Sequence, residues 1–197
     1  NFKAARAALT ELFGQPPKQW EGLQEVAYWA IRSQEEAQQY QREHSTVHPV
    51  VASREARRAK VDGLLAEARE TLAGQPFLIL DLCESVGCGD ASFVGLFPTE
   101  NQLSVVAAMG THGNEQELTN IDLLAFLLKL EQQQPFRIMA LCRDTLRIRF
   151  LNDVGDPLTL GRELYGICSD VIHQGYGSLD QLVEVIRTTR TVNLWWD

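Results

Sequence analysis

Two rhythms of apolar residues divide the chain near Gly74. Before it, large apolar side chains recur at the spacing of a helix face. Phe2, Leu9, Leu12 and Phe13 form one short set closed by Gly14, and Pro16-Pro17 punctuates the join. A second helix is predicted from Lys18, with Trp20, Leu23, Ala27 and Ile31 on its apolar side. It runs on into 34–44, where Gln, Glu and Arg dominate and Tyr40 is the only large apolar group. That half is predicted to be solvated or to pack on a partner. After Pro49 a third helix carries Val61, Leu64, Leu65, Ala68 and Leu72 as an amphipathic stripe, and Gly74 stops it.

Beyond Gly74 the runs shorten and begin to alternate. Phe77–Leu82 suits a buried strand, and Ser92–Phe97 and Leu103–Met109 read as two more, joined by a polar turn. Thr119 with Asp122 forms a capping box for a helix to Gln133. Phe136–Cys142 and Leu146–Phe150 are predicted as a hairpin across Arg143-Asp144. In its second arm Leu146, Ile148 and Phe150 alternate with Arg147 and Arg149, as in a half-exposed strand. Asp156-Pro157 opens a helix predicted to run to His173, with Leu160, Leu164, Ile167 and Val171 as its buried stripe. Gly175 and Gly177 are expected to break it. Ser178 with Gln181 caps one more helix, and Thr191–Trp195 closes the pattern as a strand. The fold class expected is α+β, a mostly antiparallel sheet with packed helices. A helical N-terminal extension (1–74) is expected to precede an α+β domain (75–197).

The stretch from Glu163 to Ser178, with Cys168, Asp170, Gln174 and Gly175, followed by Leu194-Trp195-Trp196-Asp197, resembles the end of a bacterial family, domain of unknown function 4253. Members carry a Cys-Pro-Asp on the helix and close on Trp-Trp-Asp; here Ser169 stands where the proline would be. Thr111-His-Gly-Asn114, Ile121–Leu127 before Pro135-Phe136, and Asp144-Thr-Leu146 resemble further family segments. The resemblance covers 77–197 and implies a fold but no reaction. By size and setting it suggests an analogy with small acidic proteins encoded beside bacterial toxin genes.

Charge sharpens the picture. The 197 residues are 45% hydrophobic and 22% charged, with a net charge of −8. Up to Gly74 ten basic residues balance ten acidic ones, so the whole excess belongs to the remainder. Such a surface repels a nucleic acid backbone and attracts basic proteins. The longest apolar run, near Leu123–Leu130, is too short for a bilayer, which needs about 20 residues. Neither nucleic acid nor membrane is an expected partner. Four cysteines do not make a disulfide scaffold in a chain this long, and reduced thiols in a cytoplasmic setting are expected.

Candidate chemistry is sparse. Cys168 and His173 would lie about 140° apart around one helix and cannot meet as nucleophile and base. Glu163, Asp170 and Gln174 would share one strip and could hold a cation or a basic partner side chain. A zinc site of Cys83, Cys88, Cys142 and Cys168 has one permissible pair, while His44 and His48 lack a third ligand. Arg54, Arg57, Arg58 and Lys60 read as a solvated basic face, and Ser85–Asp90 matches no phosphate-binding loop. Adjacent Trp195 and Trp196 face opposite ways on a strand, so one should enter the core and the other could anchor a partner. The expected function is a non-enzymatic protein-binding module, immunity- or antitoxin-like, that neutralises a basic partner through Glu163, Asp170, Gln174, Trp195 and Trp196. No cofactor, metal or catalytic residue is expected. The alternatives are a small hydrolase or metal-dependent enzyme using Asp144, Asp170 and Gln174, and a helical adaptor or scaffold.

Overall fold

The computed structural model describes residues 1–20, 23–32, 34–43, 49–82, 91–113 and 118–196. The chain forms two compact units, Asn1–Glu100 and Asn101–Asp197. The described strand pairings are antiparallel, and with the packed helices they make the fold α+β.

In the first unit, α1 (Phe2–Phe13) starts at Asn1, whose side chain accepts the Lys3 N–H, and stops at Gly14 in a left-handed conformation. The hairpin β1 (Lys18–Trp20) and β2 (Leu23–Arg32) follows. Next come α2 (Gln34–Glu43), α3 (Pro49–Thr71), β3 (Leu78–Leu82) and β4 (Ala91–Phe97). The strands are ordered β1-β2-β4-β3. Val61, Leu65 and Ala68 of α3, with Leu72 just past its end, are buried against Ala27, Trp29, Ile31, Ile79, Val94 and Leu96, together with Ala5 and Leu9 of α1. The stripe read on the third helix is therefore the one that packs, with Leu64 half-buried beside it. In α2, Gln38, Gln39, Arg42 and Glu43 are exposed.

The segment from Lys18 to Arg32 corrects the expectation of a wholly helical first third. Trp20, Leu23, Ala27 and Ile31 fit a helical period, but Ala27, Trp29 and Ile31 also fit a period of two. Pairing of β2 along the length of β4, from Ala27↔Leu96 to Arg32↔Ala91, selects the second. The change of rhythm at Gly74 marks the end of the α3 region, and the compact units divide later, after Glu100.

The second unit contains α4 (Gln102–Met109), α5 (Asn120–Gln133), β5 (Phe136–Leu141), β6 (Thr145–Phe150) and α6 (Pro157–Ile167). A π-helix (Val171–Tyr176), α7 (Leu179–Thr189) and β7 (Thr191–Trp195) complete it. The strand order is β5-β6-β7. Phe136, Ile138, Leu146, Ile148, Phe150, Val192 and Leu194 fill the inner face with Leu123, Leu127, Leu130, Leu160, Leu164, Leu182 and Ile186 from the helices.

Leu103–Met109 is helix, where a strand was expected. Asn101 Oδ1 accepts the backbone N–H groups of Leu103 and Ser104, and Gly110 closes the other end in a left-handed conformation (φ 66°). The Gln102 side chain bonds the β5 backbone, donating to the Phe136 carbonyl (3.1 Å) and accepting from the Ile138 N–H (2.9 Å). The helix expected to run to His173 ends instead at Ile167. Cys168 leaves the helical conformation (φ −149°, ψ 86°), and the chain re-coils as the π-helix, which includes Gly175 and ends at left-handed Gly177. No described helix is long and apolar enough to cross a membrane.

Candidate functional site

The two stretches that carry the family resemblance meet in space. Asp156 Oδ1 accepts the Thr159 N–H (3.0 Å) at the start of α6, and that bond holds its carboxyl below the usual carboxylate range. At the other end of α6, Ile167 offers its carbonyl to Trp196 Nε1 (2.8 Å). The next residue, Cys168, is fully buried, and its thiol donates to the Trp195 carbonyl (3.0 Å). Burial pushes this thiol up to about 11, so it stays protonated at neutral pH. Tyr176 Oη accepts the Asn193 N–H (3.3 Å), while the Trp195 ring lies against Gly175 so closely that a Cβ there would overlap it. The backbone N–H of Trp196 donates to the Asp144 carbonyl (2.9 Å), tying β7 to the β5–β6 turn. Gly113 also lies under the Trp196 ring, so the loop after α4 packs on the same side chain.

The predicted partner-binding residues separate into different roles. Trp196 is core, at 2% exposure, and Trp195 is half-buried, as the opposite orientation of strand neighbours requires. Glu163 is paired with Lys129 of α5 (3.0 Å). Gln174 donates to Asp170 Oδ1 (3.3 Å), so those two do meet. The end of α6 at Ile167 removes the single-helix geometry from which one strip of all three was expected. His173 bonds Tyr165 Oη (3.1 Å) with the rings edge to face, rather than approaching Cys168. Asp144 Oδ1 accepts the Thr145 hydroxyl (3.1 Å) at the hairpin turn. Cys83, Cys88, His44, His48 and the loop 85–90 lie outside the described residues. Among the described residues no three His, Cys, Asp or Glu side chains gather as a metal site.

Sequence reasoning missed a different surface. α5 buries Leu123, Leu127 and Leu130, yet it also presents Ile121 at 77% and Leu128 at 51% exposure. α6 buries Leu160 and Leu164 and presents Leu158 and Tyr165. Lys129–Glu163 joins the two helices, and Leu151, also exposed, reaches the end of α5 through its N–H bond to the Pro135 carbonyl (2.9 Å). The signal was present: Ile121–Leu128 holds more apolar residues than one buried stripe uses. The same two helices and the start of α6 carry carboxylates. Asp122, held below the usual carboxylate range by its bonds from the Thr119 hydroxyl and N–H, is one, and Asp156 and Glu163 are others.

The chain belongs to the family described as domain of unknown function (DUF4253), which it matches over residues 93–197. That span takes in the second unit and most of β4. No curated protein and no solved structure matches the chain.

Proposed function

We propose that this chain is a non-enzymatic protein-binding module of the immunity or antitoxin kind, acting in the cytoplasm on a partner with a basic surface. The observation that carries the reading is the set of exposed large apolar side chains on α5 and α6, Ile121, Leu128, Leu158 and Tyr165, with Ile121 at 77% the most exposed. Large apolar side chains gathered on a surface mark interaction sites more often than isolated ones do. Asp122, Asp156 and Glu163 on these helices and at the start of α6, in a chain of net charge −8, favour a cationic partner. Apolar side chains anchor such a contact, and the surrounding charges steer it. Trp195 and the Asp170–Gln174 pair lie beyond the end of α6 and would extend the contact rather than form its centre.

The test is affinity capture from the native host, followed by binding kinetics with Ile121→Glu/Leu128→Glu. The expected result is a captured basic protein that the double variant no longer binds, while its thermal unfolding is unchanged because neither side chain is core. In the intact protein, association should slow as salt rises. Unaltered binding by the double variant would refute this face as the interface. Capture of an acidic partner would refute the charge argument.

A further inference from the structure

Helix α5 carries two apolar stripes. Leu123, Leu127 and Leu130 form the buried one. Ile121, Leu124, Ala125 and Leu128 recur at i, i+3, i+4 and i+7, so they share an arc of about 100° on the other side of the helix. Ile121, Ala125 and Leu128 are exposed and Leu124 is half-buried. One stripe is enough to seat a helix on its own domain, and the second faces solvent. Carboxylates stand on both flanks of this second stripe. Asp122 lies about 100° to one side of Ile121 around the axis and Glu131 about 80° to the other. Asp122 is exposed; Glu131 is half-buried and accepts from the neutral Gln102 amide (2.8 Å), which leaves its charge in place. Among the described residues neither makes an ion pair. Lys129, the one cation of α5, is paired with Glu163.

Resting on the reading of α5 as a contact surface, we propose that this stripe docks an amphipathic helix of the partner protein. That helix presents large apolar residues at i, i+3, i+4 and i+7 and carries Lys or Arg along both edges of them. Ile121 and Leu128 stand about 10.5 Å apart along the α5 axis, nearly two turns. A second helix laid along α5 repeats that interval, whereas same-side residues of a strand fall about 7 Å apart and lose register. Ala125 makes a low point between Ile121 and Leu128, where a large side chain of the incoming helix fits. Recognition of one apolar helix face by another surface is read through the same spacing of anchors. Charge decides which helix. Asp122 and Glu131 meet cations on either edge, and a partner with basic edges is also drawn in by the net charge of −8. A second copy of this chain would bring the same carboxylates and the same excess of negative charge, so it is the poorer occupant.

The experiment is fluorescence anisotropy of the full chain with a labelled peptide of about 18 residues, long enough to coil on its own. Its leucines lie on one helical face, with lysines at both edges. The comparisons are a peptide of the same composition with its leucines scattered around the helix, and one with Glu in place of Lys. Only the first should bind saturably, and more weakly as salt rises. Ala125→Gln fills the low point without touching the core and should raise Kd by about tenfold, as loss of a central anchor implies. Leu128→Gln should do the same, and Ala66→Gln, on an exposed position of α3, should change nothing. Asp122→Asn/Glu131→Gln should weaken binding by roughly threefold and flatten its salt dependence. Equal binding of the scattered peptide, or a Kd that neither Ala125→Gln nor Leu128→Gln alters, would overturn the proposal. So would dimerisation of the chain alone that Ala125→Gln abolishes, which would give the stripe to a second copy. Loss of a captured partner in Ile121→Glu/Leu128→Glu, with no binding of the helical peptide, would overturn the helix and leave the contact surface standing.

Discussion

Trp29 in the first unit and Trp196 in the second are both almost fully buried, and the two are held differently. Trp29 in the first unit is 1% exposed, packed against Phe13 at a centroid distance of 5.1 Å, and its Nε1 has no hydrogen-bond partner among the described residues. Trp196 in the second unit is 2% exposed, but its Nε1 donates to Ile167 and its backbone N–H to Asp144. Trp29 fills space in an apolar cluster. Trp196 also ties together the end of α6, the β5–β6 turn and β7. One ring is placed by packing alone, whereas the other is placed by packing and by direction, because a hydrogen bond has a geometry and burial has none.

The sharpest test of that contrast is the conservative substitution. Trp196→Phe should lower stability by about 1–3 kcal/mol more than Trp29→Phe, because it leaves the part-buried Ile167 carbonyl without its donor. Trp29→Phe removes a polar atom that had no partner. Denaturant unfolding of both variants would measure the difference, and equal losses would break the comparison.

Gly175→Ala addresses the same junction from the opposite side. Its Cβ would overlap the Trp195 ring, at an overpacking cost of about 1–3 kcal/mol. Trp195→Leu in the same chain should recover most of that loss, and failure to recover it would place the strain in the π-helix backbone instead. Next in size is Thr119→Ala, which removes the capping box of α5 at a cost of about 1 kcal/mol.

The same box predicts a pH dependence. The folded-state pKa of Asp122 lies below its ordinary 3.8, so the stability it contributes is present above that value. It is lost as pH falls through the lower folded value. Asp122→Asn should flatten the acid limb of the stability curve. Cys168 acts at the alkaline end: its thiol is raised from 9.0 to about 11, so unfolding becomes easier as pH rises through that window. Cys168→Ala should remove that part of the alkaline loss. The smallest effect is expected at Lys129→Ala, an exposed ion pair contributing at most about 1 kcal/mol. A larger loss would show that α5 and α6 depend on that bridge.

What was legible in the sequence was local. Thr119 with Asp122, Asp156 with Pro157, and Ser178 with Gln181 each set a helix start that the structure reproduces. Side-chain caps act within three residues and need no tertiary partner. The alternation of Leu146, Ile148 and Phe150 with arginines marked a strand with one buried face for a similar reason: the pleat is a property of the strand itself. The family resemblance, too, was carried by residues close in the chain at each of its two ends.

Where two periods were compatible with the same residues, only the tertiary structure decided. Ala27, Trp29 and Ile31 became strand because β4 supplied the hydrogen bonds, and Leu103–Met109 became helix because Asn101 and Gly110 capped it. The break of α6 at Cys168 was invisible locally, since the thiol and the Ile167 carbonyl find their partners at Trp195, the last residue of β7, and at Trp196 just after it, more than twenty residues on. Which tryptophan enters the core, and which apolar residues of α5 stay outside it, depended on partners far along the chain. A sequence states the period and the caps of its elements; hydrogen bonds and burial between distant segments select which face each element hides.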